Sequence, residues 1–343
     1  MKTSVSAFFI KLFVIGFAVF GHVPAHASEL NIYSHRQAFL INPFLDAFTS
    51  ETGIKTNVVF ASKGLAQRLM AEGANSPADL VLTVDIARLT VYADKGLFAP
   101  VQSDILERVI PAHLRSREGT WFGLSKRSRI LGVSKDRIKD GEISRIEDLA
   151  DPKWRGKICS RPGSHVYNRA LVASMIIAHG ELKAEAWARD LVANFARRPQ
   201  GNDRAQVKAI FEGQCDIAIL NHYYYGKLLN SDDAAHRQWA DAINVVFPNQ
   251  GVDDRGAHVN ISGGGIAVHS KNKADAQRLL EFLISEKAQS LYAKINYEYP
   301  VDESLDLPED LELWGSFKED QAPVSEIARL SASAQKIIDR VGW

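Results

Sequence analysis

Short apolar runs alternate with amphipathic stretches in the first third of the chain. The runs at 29–34, 55–60 and 78–83 have the length and composition of β-strands. The stretches that follow them repeat their apolar residues with the spacing of a helix. The order β-α-β-α-β-α predicts a parallel sheet with helices on its faces.

Two helical stretches have boundaries that the sequence predicts. Asn42-Pro43 opens the first, because proline is favoured in the first turn of a helix, and Phe44 and Phe48 then share one face. Near the other end of the chain, 274–291 predicts one long amphipathic helix.

Two extended stretches interrupt this alternation. Residues 121–134 predict two extended segments joined through 126–129, with no room for a helix between them. A second α/β series follows, and 256–269 is again extended, around Gly263-Gly264-Gly265. Long extended stretches suit connections that pass from one domain to another. We therefore predict two α/β domains joined by two crossing segments.

The first 27 residues predict a secretion signal. Lys2 and Lys11 precede or flank an apolar run at 12–21, and Ala25-His26-Ala27 has small residues at the two positions that a signal peptidase reads. Ten apolar residues are too few to span a bilayer, and no later stretch approaches the ~20 that are required. We expect a mature protein that begins at Ser28, is exported, and is not inserted in a membrane. A two-domain layout behind a secretion signal is that of a periplasmic binding protein, which closes around its ligand by hinge motion.

The charge balance argues against a nucleic-acid partner. The chain has 41 basic and 41 acidic residues, and removal of the leader takes away two lysines and no acids. A slightly negative mature protein has no basic field for nucleic acid or for an anionic membrane.

The two cysteines, Cys159 and Cys215, both lie in the exported part. An oxidising periplasm favours a disulfide between them, and two buried free thiols are the alternative. A cysteine-based metal site is not expected, because there is no CxxC pair and no third sulfur.

Three consecutive tyrosines follow a predicted buried strand. The apolar run 215–220 leads directly into Asn221-His222 and then Tyr223, Tyr224 and Tyr225. Ligands bind at the carboxyl ends of strands in open α/β sheets, and neighbours on a helix point about 100° apart, so the three rings cannot all enter one core. A hard cation such as Fe³⁺ can displace the phenolic proton and favours anionic oxygen donors. The alternative is aromatic packing at the start of a helix.

Further candidates lie at other strand ends and in the first crossing segment. Tyr167 follows another strand of the same domain and is either a second phenol of the site or structural. His35 and Arg36 follow the first strand; His35 either binds metal or is solvated, and Arg36 either holds an anion or makes a surface salt bridge. Arg127 and Arg129 alternate on an extended segment, so both can face the cleft and attract an anion.

Enzyme signatures are absent from the sequence. It contains no G-x-S-x-G, no H-E-x-x-H and no G-x-x-x-x-G-K-[ST] motif. We therefore expect a binding protein and not an enzyme.

The chain resembles the periplasmic ferric-iron-binding proteins of bacterial ABC transporters, the ferric-binding protein A family, over essentially the whole mature sequence. The stretches that carry the resemblance are YSHRQAFLINPFLDAFTSETGIK (33–55), SPADLVLTVD (76–85), GLSKRSRILGVSKDR (123–137), WRGKICSRPGSHVYNRALVAS (154–174), GQCDIAILNHYYYG (213–226) and HVNISGGGI (258–266).

The resemblance implies a two-lobed α/β fold of the type II periplasmic binding proteins, with an interdomain cleft and two crossing hinge segments. We expect residues 28–128 and 256–302 to form the N-terminal lobe, and 129–255 and 303–343 the C-terminal lobe. The implied partners are an inner-membrane ABC permease and its ATPase, and the implied state is a periplasmic monomer. The same fold also hosts binders of oxyanions, polyamines and thiamine, so a small anionic or organic solute is the alternative ligand.

The family's ligand positions fall on Tyr167, Tyr223 and Tyr224, which would hold Fe³⁺ as phenolates. A synergistic carbonate or bicarbonate would be held by the residues that match the family's anion site: Arg36, Gln37 and Arg127. Some relatives place a histidine or a His-Tyr pair where this chain has Gln37 and Ala38. The first lobe then supplies no strong metal ligand unless His35 turns inward, which makes an anion more necessary. Tyr225 is assigned to packing or to support of the site.

Overall fold

A computed structural model describes residues 29–307 and 309–343. The predicted signal peptide at 1–27 lies outside the described residues.

The described chain is an α/β protein. Its strands are β1 Glu29–Ser34, β2 Lys55–Phe60, β3 Leu80–Thr83, β4 Phe122–Ser134, β5 Ile158–Cys159, β6 Ile217–Asn221, β7 Ile243–Val246 and β8 Val259–Ile266. Its α-helices are α1 Ala38–Thr52, α2 Leu65–Glu72, α3 Ile86–Asp94, α4 Asp104–Val109, α5 Val166–His179, α6 Glu181–Ala193, α7 Asp203–Phe211, α8 His222–Leu229, α9 Ala234–Asp241, α10 Lys273–Leu283, α11 Glu286–Leu291, α12 Glu309–Glu312, α13 Val324–Arg329 and α14 Ser331–Val341. Short 3₁₀ turns lie at Gly73–Asn75, Ala112–Leu114, Glu147–Ala150 and Pro152–Trp154, and a π-helical turn at Tyr292–Asn296. Within the described ranges, no helix is long and apolar enough to cross a membrane.

The strands form a mixed sheet in the order β2-β1-β3-β8-β4-β6-β5, and β7 also pairs with β4. β1 pairs in parallel with β2 and β3, and β5 pairs in parallel with β6. The pairs that involve β4 or β8 are antiparallel. The predicted parallel β-α-β arrangement of the first strands is confirmed, and the antiparallel centre comes from the two extended stretches.

β4 connects the part of the sheet that contains β1, β2, β3 and β8 with the part that contains β5, β6 and β7. It is one continuous strand of 13 residues, all of them buried, and not two segments joined at 126–129 as the sequence suggested. Residues 122–128 pair with β8, whereas 129–133 pair with β6. The strand stays unbroken because each half has a ladder partner that supplies its backbone hydrogen bonds.

The glycine run of β8 is required by close packing. A Cβ atom at Gly263 would lie 2.7 Å from the Phe122 carbonyl oxygen, and one at Gly265 would lie 2.6 Å from that of Thr120. At Gly264 it would lie 2.8 Å from the Leu82 side chain. The three glycines therefore let β8 fit between β3 and β4. Their role is structural, and the glycine run by itself does not indicate a function.

Two predicted helix boundaries were wrong. α1 begins at Ala38, so that Pro43 lies inside the helix and does not open it. The stretch predicted as one helix at 274–291 forms α10 and α11, because the Ser285 hydroxyl accepts a hydrogen bond from the Ala288 N–H and starts a new helix.

Cys159 and Cys215 form a disulfide, with their Cα atoms 5.9 Å apart. Cys159 ends β5, and Cys215 lies just before β6, so the bond joins neighbouring parallel strands. Of the two states that the sequence left open, the structure contains the bridge.

We expect replacement of both cysteines by alanine to lower the free energy of unfolding by about 4 kcal/mol, because the bridge closes a long loop in the unfolded chain. Urea unfolding of the double variant and of the unmodified protein, each extrapolated to water with its own m-value, measures this loss. Equal unfolding midpoints for the two proteins would contradict the prediction.

Candidate metal centre

The candidate site lies where two parallel strands end. β5 leads through a loop into α5, and β6 leads directly into α8. Because β5 and β6 pair in parallel, their carboxyl ends meet at one edge of the sheet. Tyr167 lies in the first turn of α5, and Tyr223 and Tyr224 lie in the first turn of α8.

The three predicted tyrosines form one cluster. The Tyr223 hydroxyl lies 3.1 Å from the Tyr167 hydroxyl, and the ring centroids of Tyr223 and Tyr224 are 4.4 Å apart. The side-chain amide of Asn221 donates to the Tyr223 hydroxyl at 3.3 Å. Phenol oxygens from two helices therefore converge on one point, which is the geometry that a shared hard cation needs.

Tyr225 points away from this cluster. It is buried in an apolar cluster that includes Leu220 and Leu228, and its ring centroid lies 6.1 Å from that of Trp314. Of the two roles that the sequence left open for Tyr225, packing or support of the site, these contacts favour packing.

Burial keeps the Tyr223 and Tyr224 phenols neutral. Loss of contact with water raises the pKa of Tyr223 well above its ordinary value, and the neighbouring Tyr167 and Tyr224 raise it further. Burial also raises the pKa of Tyr224. A cation that binds here must therefore displace phenolic protons, which only a strongly charged ion does near neutral pH.

Guanidinium groups surround the phenol rings. The Arg127 and Arg161 guanidinium carbons lie 5.5 Å and 5.2 Å from the centroid of the Tyr167 ring. That of Arg204 lies 5.7 Å from the centroid of the Tyr224 ring. Arg127 is buried, and its Nη2 donates to the Ile261 carbonyl at 2.8 Å. Its Nε is buried without a hydrogen-bond partner, so this guanidinium retains a donor to offer.

Arg129 is held differently from Arg127. Its guanidinium donates to Asp203 at 2.9 Å, to the Asn221 side chain at 3.1 Å and to the Asn168 side chain at 2.7 Å. The sequence suggested that both arginines could attract an external anion, but the charge of Arg129 is already matched by a buried carboxylate.

Arg36 also has an internal partner. Its Nη2 lies 2.8 Å from Glu298 and 2.5 Å from the Ser262 hydroxyl, and both charged side chains are buried. The salt bridge that the sequence allowed for Arg36 exists, but in the interior and not on the surface. Gln37 is exposed at the start of α1, where its side chain makes no capping hydrogen bond.

His35 is directed toward another phenol. Its Nε2 lies 2.8 Å from the Tyr92 hydroxyl, and its Nδ1 is buried without a partner. Burial, assisted by the charge of Arg88, lowers the pKa of His35, so the imidazole is neutral. No hydrogen bond joins His35, Arg36 or Gln37 to Tyr167, Tyr223 or Tyr224.

Arg161, Arg204 and Asp203 are site residues that were not found from the sequence. Asp203 is fully buried, and its carboxylate accepts hydrogen bonds from Arg129, Arg161 and the Asn221 backbone. Its local pattern, Asn202-Asp203, indicates only the start of a helix, which is what α7 confirms. Its partners are distant in the sequence, so no spacing could reveal them.

Tyrosine oxygens are the metal ligands that this site could supply. Among residues 29–307 and 309–343, no group of three or more histidine, cysteine, aspartate or glutamate side chains is arranged to hold a metal ion.

Comparison with known proteins agrees with this fold. Residues 75–318 match the family model of the bacterial extracellular solute-binding proteins. The chain is 44% identical over 321 residues to iron uptake protein A1 of Synechocystis, covering 93% of this chain and 89% of that protein. It is 26% identical to the major ferric iron-binding protein of Neisseria meningitidis, with 88% of each chain covered.

Two solved structures share the fold over almost the whole chain. A Trichodesmium protein in complex with iron and citrate ligands is 44% identical, with a TM-score of 0.88 over 92% of this chain and all of that one. Ferric iron-binding protein A of Mannheimia haemolytica, in an open conformation, is 46% identical, with a TM-score of 0.87 over 92% of this chain and 99% of that one. The fold is therefore that of the type II periplasmic binding proteins, and the chain belongs to the bacterial extracellular solute-binding protein family and is similar to its periplasmic ferric-iron-binding members.

Proposed function

We propose that this protein captures Fe³⁺ in the periplasm through the phenolates of Tyr167, Tyr223 and Tyr224 and delivers it to an inner-membrane ABC permease and its ATPase. The observation that carries the proposal is the convergence of the three phenols at one sheet edge, with the Tyr167 and Tyr223 hydroxyls 3.1 Å apart. The iron-binding names of the similar proteins support it. The leader at 1–27 would direct export, and the mature protein would act as a monomer.

Charge balance favours a trivalent cation. Three phenolates cancel the charge of Fe³⁺, which limits the cost of placing the ion in a partly buried site. A divalent ion with the same ligands would leave a net negative charge. The ferric state is therefore the cargo that fits the phenol cluster best.

A synergistic carbonate or bicarbonate would complete the coordination. Arg127 is its main anchor, because this guanidinium lies beside Tyr167, keeps a buried Nε without a partner and, unlike Arg161, is not paired with a carboxylate among the described residues. Arg36 and Gln37 would assist from the other side, although Arg36 is already paired with Glu298. His35 becomes a further ligand only if it leaves the Tyr92 hydroxyl. The similar Trichodesmium structure holds citrate with its iron, so citrate is the anion to compare.

Two lobes would close over the metal. One would comprise 28–128 and 256–302, and the other 129–255 and 303–343. The pairing of β4 supports this division, because its ladder changes from β8 to β6 between Ser128 and Arg129. The two crossing strands would then act as the hinge.

A small anionic or organic solute, of the oxyanion, thiamine or polyamine type, is the second candidate ligand. The arginines that lie over the rings of Tyr167 and Tyr224 favour an anionic member of this class, which they could hold while the rings stack on it, over the cationic thiamine and polyamines. Metal analysis after ferric loading separates the two: one iron per chain supports the ferric site, and none supports the solute. The similar proteins are solute-binding transport proteins, and we propose no catalytic activity.

We expect the variant Tyr223→Phe, Tyr224→Phe to lose the tyrosinate-to-iron charge-transfer colour and to bind Fe³⁺ more than ~100-fold more weakly. Loss of a residue that only supports a metal ligand already costs roughly 10- to 100-fold, and here two ligands are lost. Visible spectroscopy and titration against a competing chelator measure both effects. Tyr225→Phe is the matched control, because that phenol lies outside the cluster, and it should keep colour and affinity. A double variant that kept both the colour and the affinity of the unmodified protein would refute the ligand assignment.

We expect ferric affinity to fall when bicarbonate is removed, and the variant Arg127→Gln to lose most of this dependence. Arg127 is a better probe than Arg36, because removal of Arg36 would leave Glu298 buried without its cation and destabilise the fold. Ferric titrations in bicarbonate, in citrate and without added anion identify the anion. An unmodified protein with the same affinity in all three conditions would argue for a site of tyrosines alone.

We expect ferric affinity to fall steeply as the pH falls. Because burial raises the pKa of Tyr223 and Tyr224, these phenols are protonated before iron binds, and each one that binds must release a proton. Three released protons give up to about a thousandfold loss of affinity per pH unit. Chelator competition across a pH series gives this slope, and Tyr167→Phe should reduce it by about one proton. A slope near zero would mean that iron does not bind through these phenols.

A further inference from the structure

A buried ionic cluster lies behind the three tyrosines. Asp203 is fully buried, and its two carboxylate oxygens lie 2.9 Å from the guanidinium nitrogens of Arg161 and Arg129. We propose that Asp203 is a positioning residue that holds the two ligand-bearing turns, at the starts of α5 and α8, in register for one metal ion. This inference rests on the ferric function proposed above and adds a residue that does not touch the metal.

One arm of the cluster reaches α8. The Asn221 backbone N–H donates to Asp203 at 2.9 Å, just where β6 ends. The Asn221 side chain accepts from Arg129 at 3.1 Å and donates to the Tyr223 hydroxyl at 3.3 Å. The carboxylate therefore fixes both the backbone that starts α8 and the amide that orients the Tyr223 oxygen.

The other arm reaches α5. Arg161, held by Asp203, places its guanidinium carbon 5.2 Å from the centroid of the Tyr167 ring. Arg129, also held by Asp203, donates to the Asn168 side chain at 2.7 Å, next to Tyr167 in the chain. The Asn168 amide in turn donates to the Arg161 carbonyl at 3.1 Å. The first turn of α5 is thus fixed from both sides.

Only a carboxylate satisfies this arrangement. Three donors, two of them charged, point at its two oxygens, and an ionised aspartate offers acceptor sites for all of them. An asparagine has the same shape but only one acceptor oxygen. Its NH₂ group would face a guanidinium donor, which leaves buried donors unpaired.

The charge of Asp203 has little direct effect on ferric affinity. A negative charge near the phenols opposes their conversion to phenolates, but it also attracts the cation. Because Fe³⁺ would replace three protons, the net charge of the proposed site is the same before and after binding, and the two effects largely cancel. A large loss of affinity in the neutral variant Asp203→Asn therefore reports the loss of positioning.

The test compares Asp203→Asn with Asp216→Asn in ferric titrations at fixed pH and bicarbonate. Asp216 is the matched control, because it also pairs with two cations, Arg137 and Lys157, but lies at the opposite end of β6. We expect Asp203→Asn to bind iron roughly 10- to 100-fold more weakly, with a shifted charge-transfer band and an altered Fe³⁺ electron paramagnetic resonance spectrum. The control should match the unmodified protein in all three. Unchanged or tighter binding by Asp203→Asn would overturn the inference.

A second variant covers the case in which Asp203→Asn does not fold, as judged by circular dichroism. Arg161→Gln removes one arm and leaves the Arg129–Asp203 pair intact. It should weaken iron binding and shift the band, and a spectrum and affinity equal to those of the unmodified protein would overturn the inference. If the unmodified protein itself binds no iron, the proposed function fails and this inference with it. If it binds iron normally and both variants do too, only the role of Asp203 fails.

Discussion

The parallel pairing of β5 with β6 is the constraint on which the candidate site depends. It brings two strand ends, and therefore two helix starts, to one edge of the sheet. Tyr167 and the Tyr223–Tyr224 pair are far apart in the chain and meet only for this reason. The Cys159–Cys215 disulfide links the end of β5 to the residues just before β6, at the end of β6 opposite to the tyrosines.

Several charged side chains around the site already have internal partners. Arg36 is paired with Glu298, and Arg129 and Arg161 are paired with Asp203. Arg127, Arg129 and Arg161 each keep a buried Nε without a hydrogen-bond partner. Because Arg129 and Arg161 are paired with Asp203, Arg127 is the one of these three guanidinium groups that has no carboxylate partner among the described residues. The burial that keeps the phenols neutral also makes proton release part of cation binding.

The helix that carries Tyr223 and Tyr224 is linked to the centre of the sheet. His222 accepts a hydrogen bond from the Ser128 N–H at 3.1 Å, and its other ring nitrogen lies 2.6 Å from the Tyr297 carbonyl. Ser128 is where the pairing of β4 changes from β8 to β6. Burial lowers the pKa of His222 to about 4, so this link is made by a neutral ring and persists across the physiological pH range. A movement of β4 at Ser128 would therefore displace the start of α8.

The sequence by itself predicted the strands, most helices, the two extended stretches and the candidate tyrosines, because each of these depends on a local periodicity or a contiguous motif. β1 and β2 appear where the pattern predicted them. The sequence misplaced the start of α1, because Pro43 lies inside that helix and not in its first turn. It also joined α10 to α11, because the helical apolar spacing continues past Ser285, which caps a new helix. Only the tertiary structure decided how the polar residues pair. Arg36 with Glu298, His35 with Tyr92, and Asp203 with its two arginines join residues that are distant in the chain, and no spacing records such contacts. The sequence identified the tyrosines, whereas the fold determined which charged side chains lie beside them and which of those side chains already have a partner.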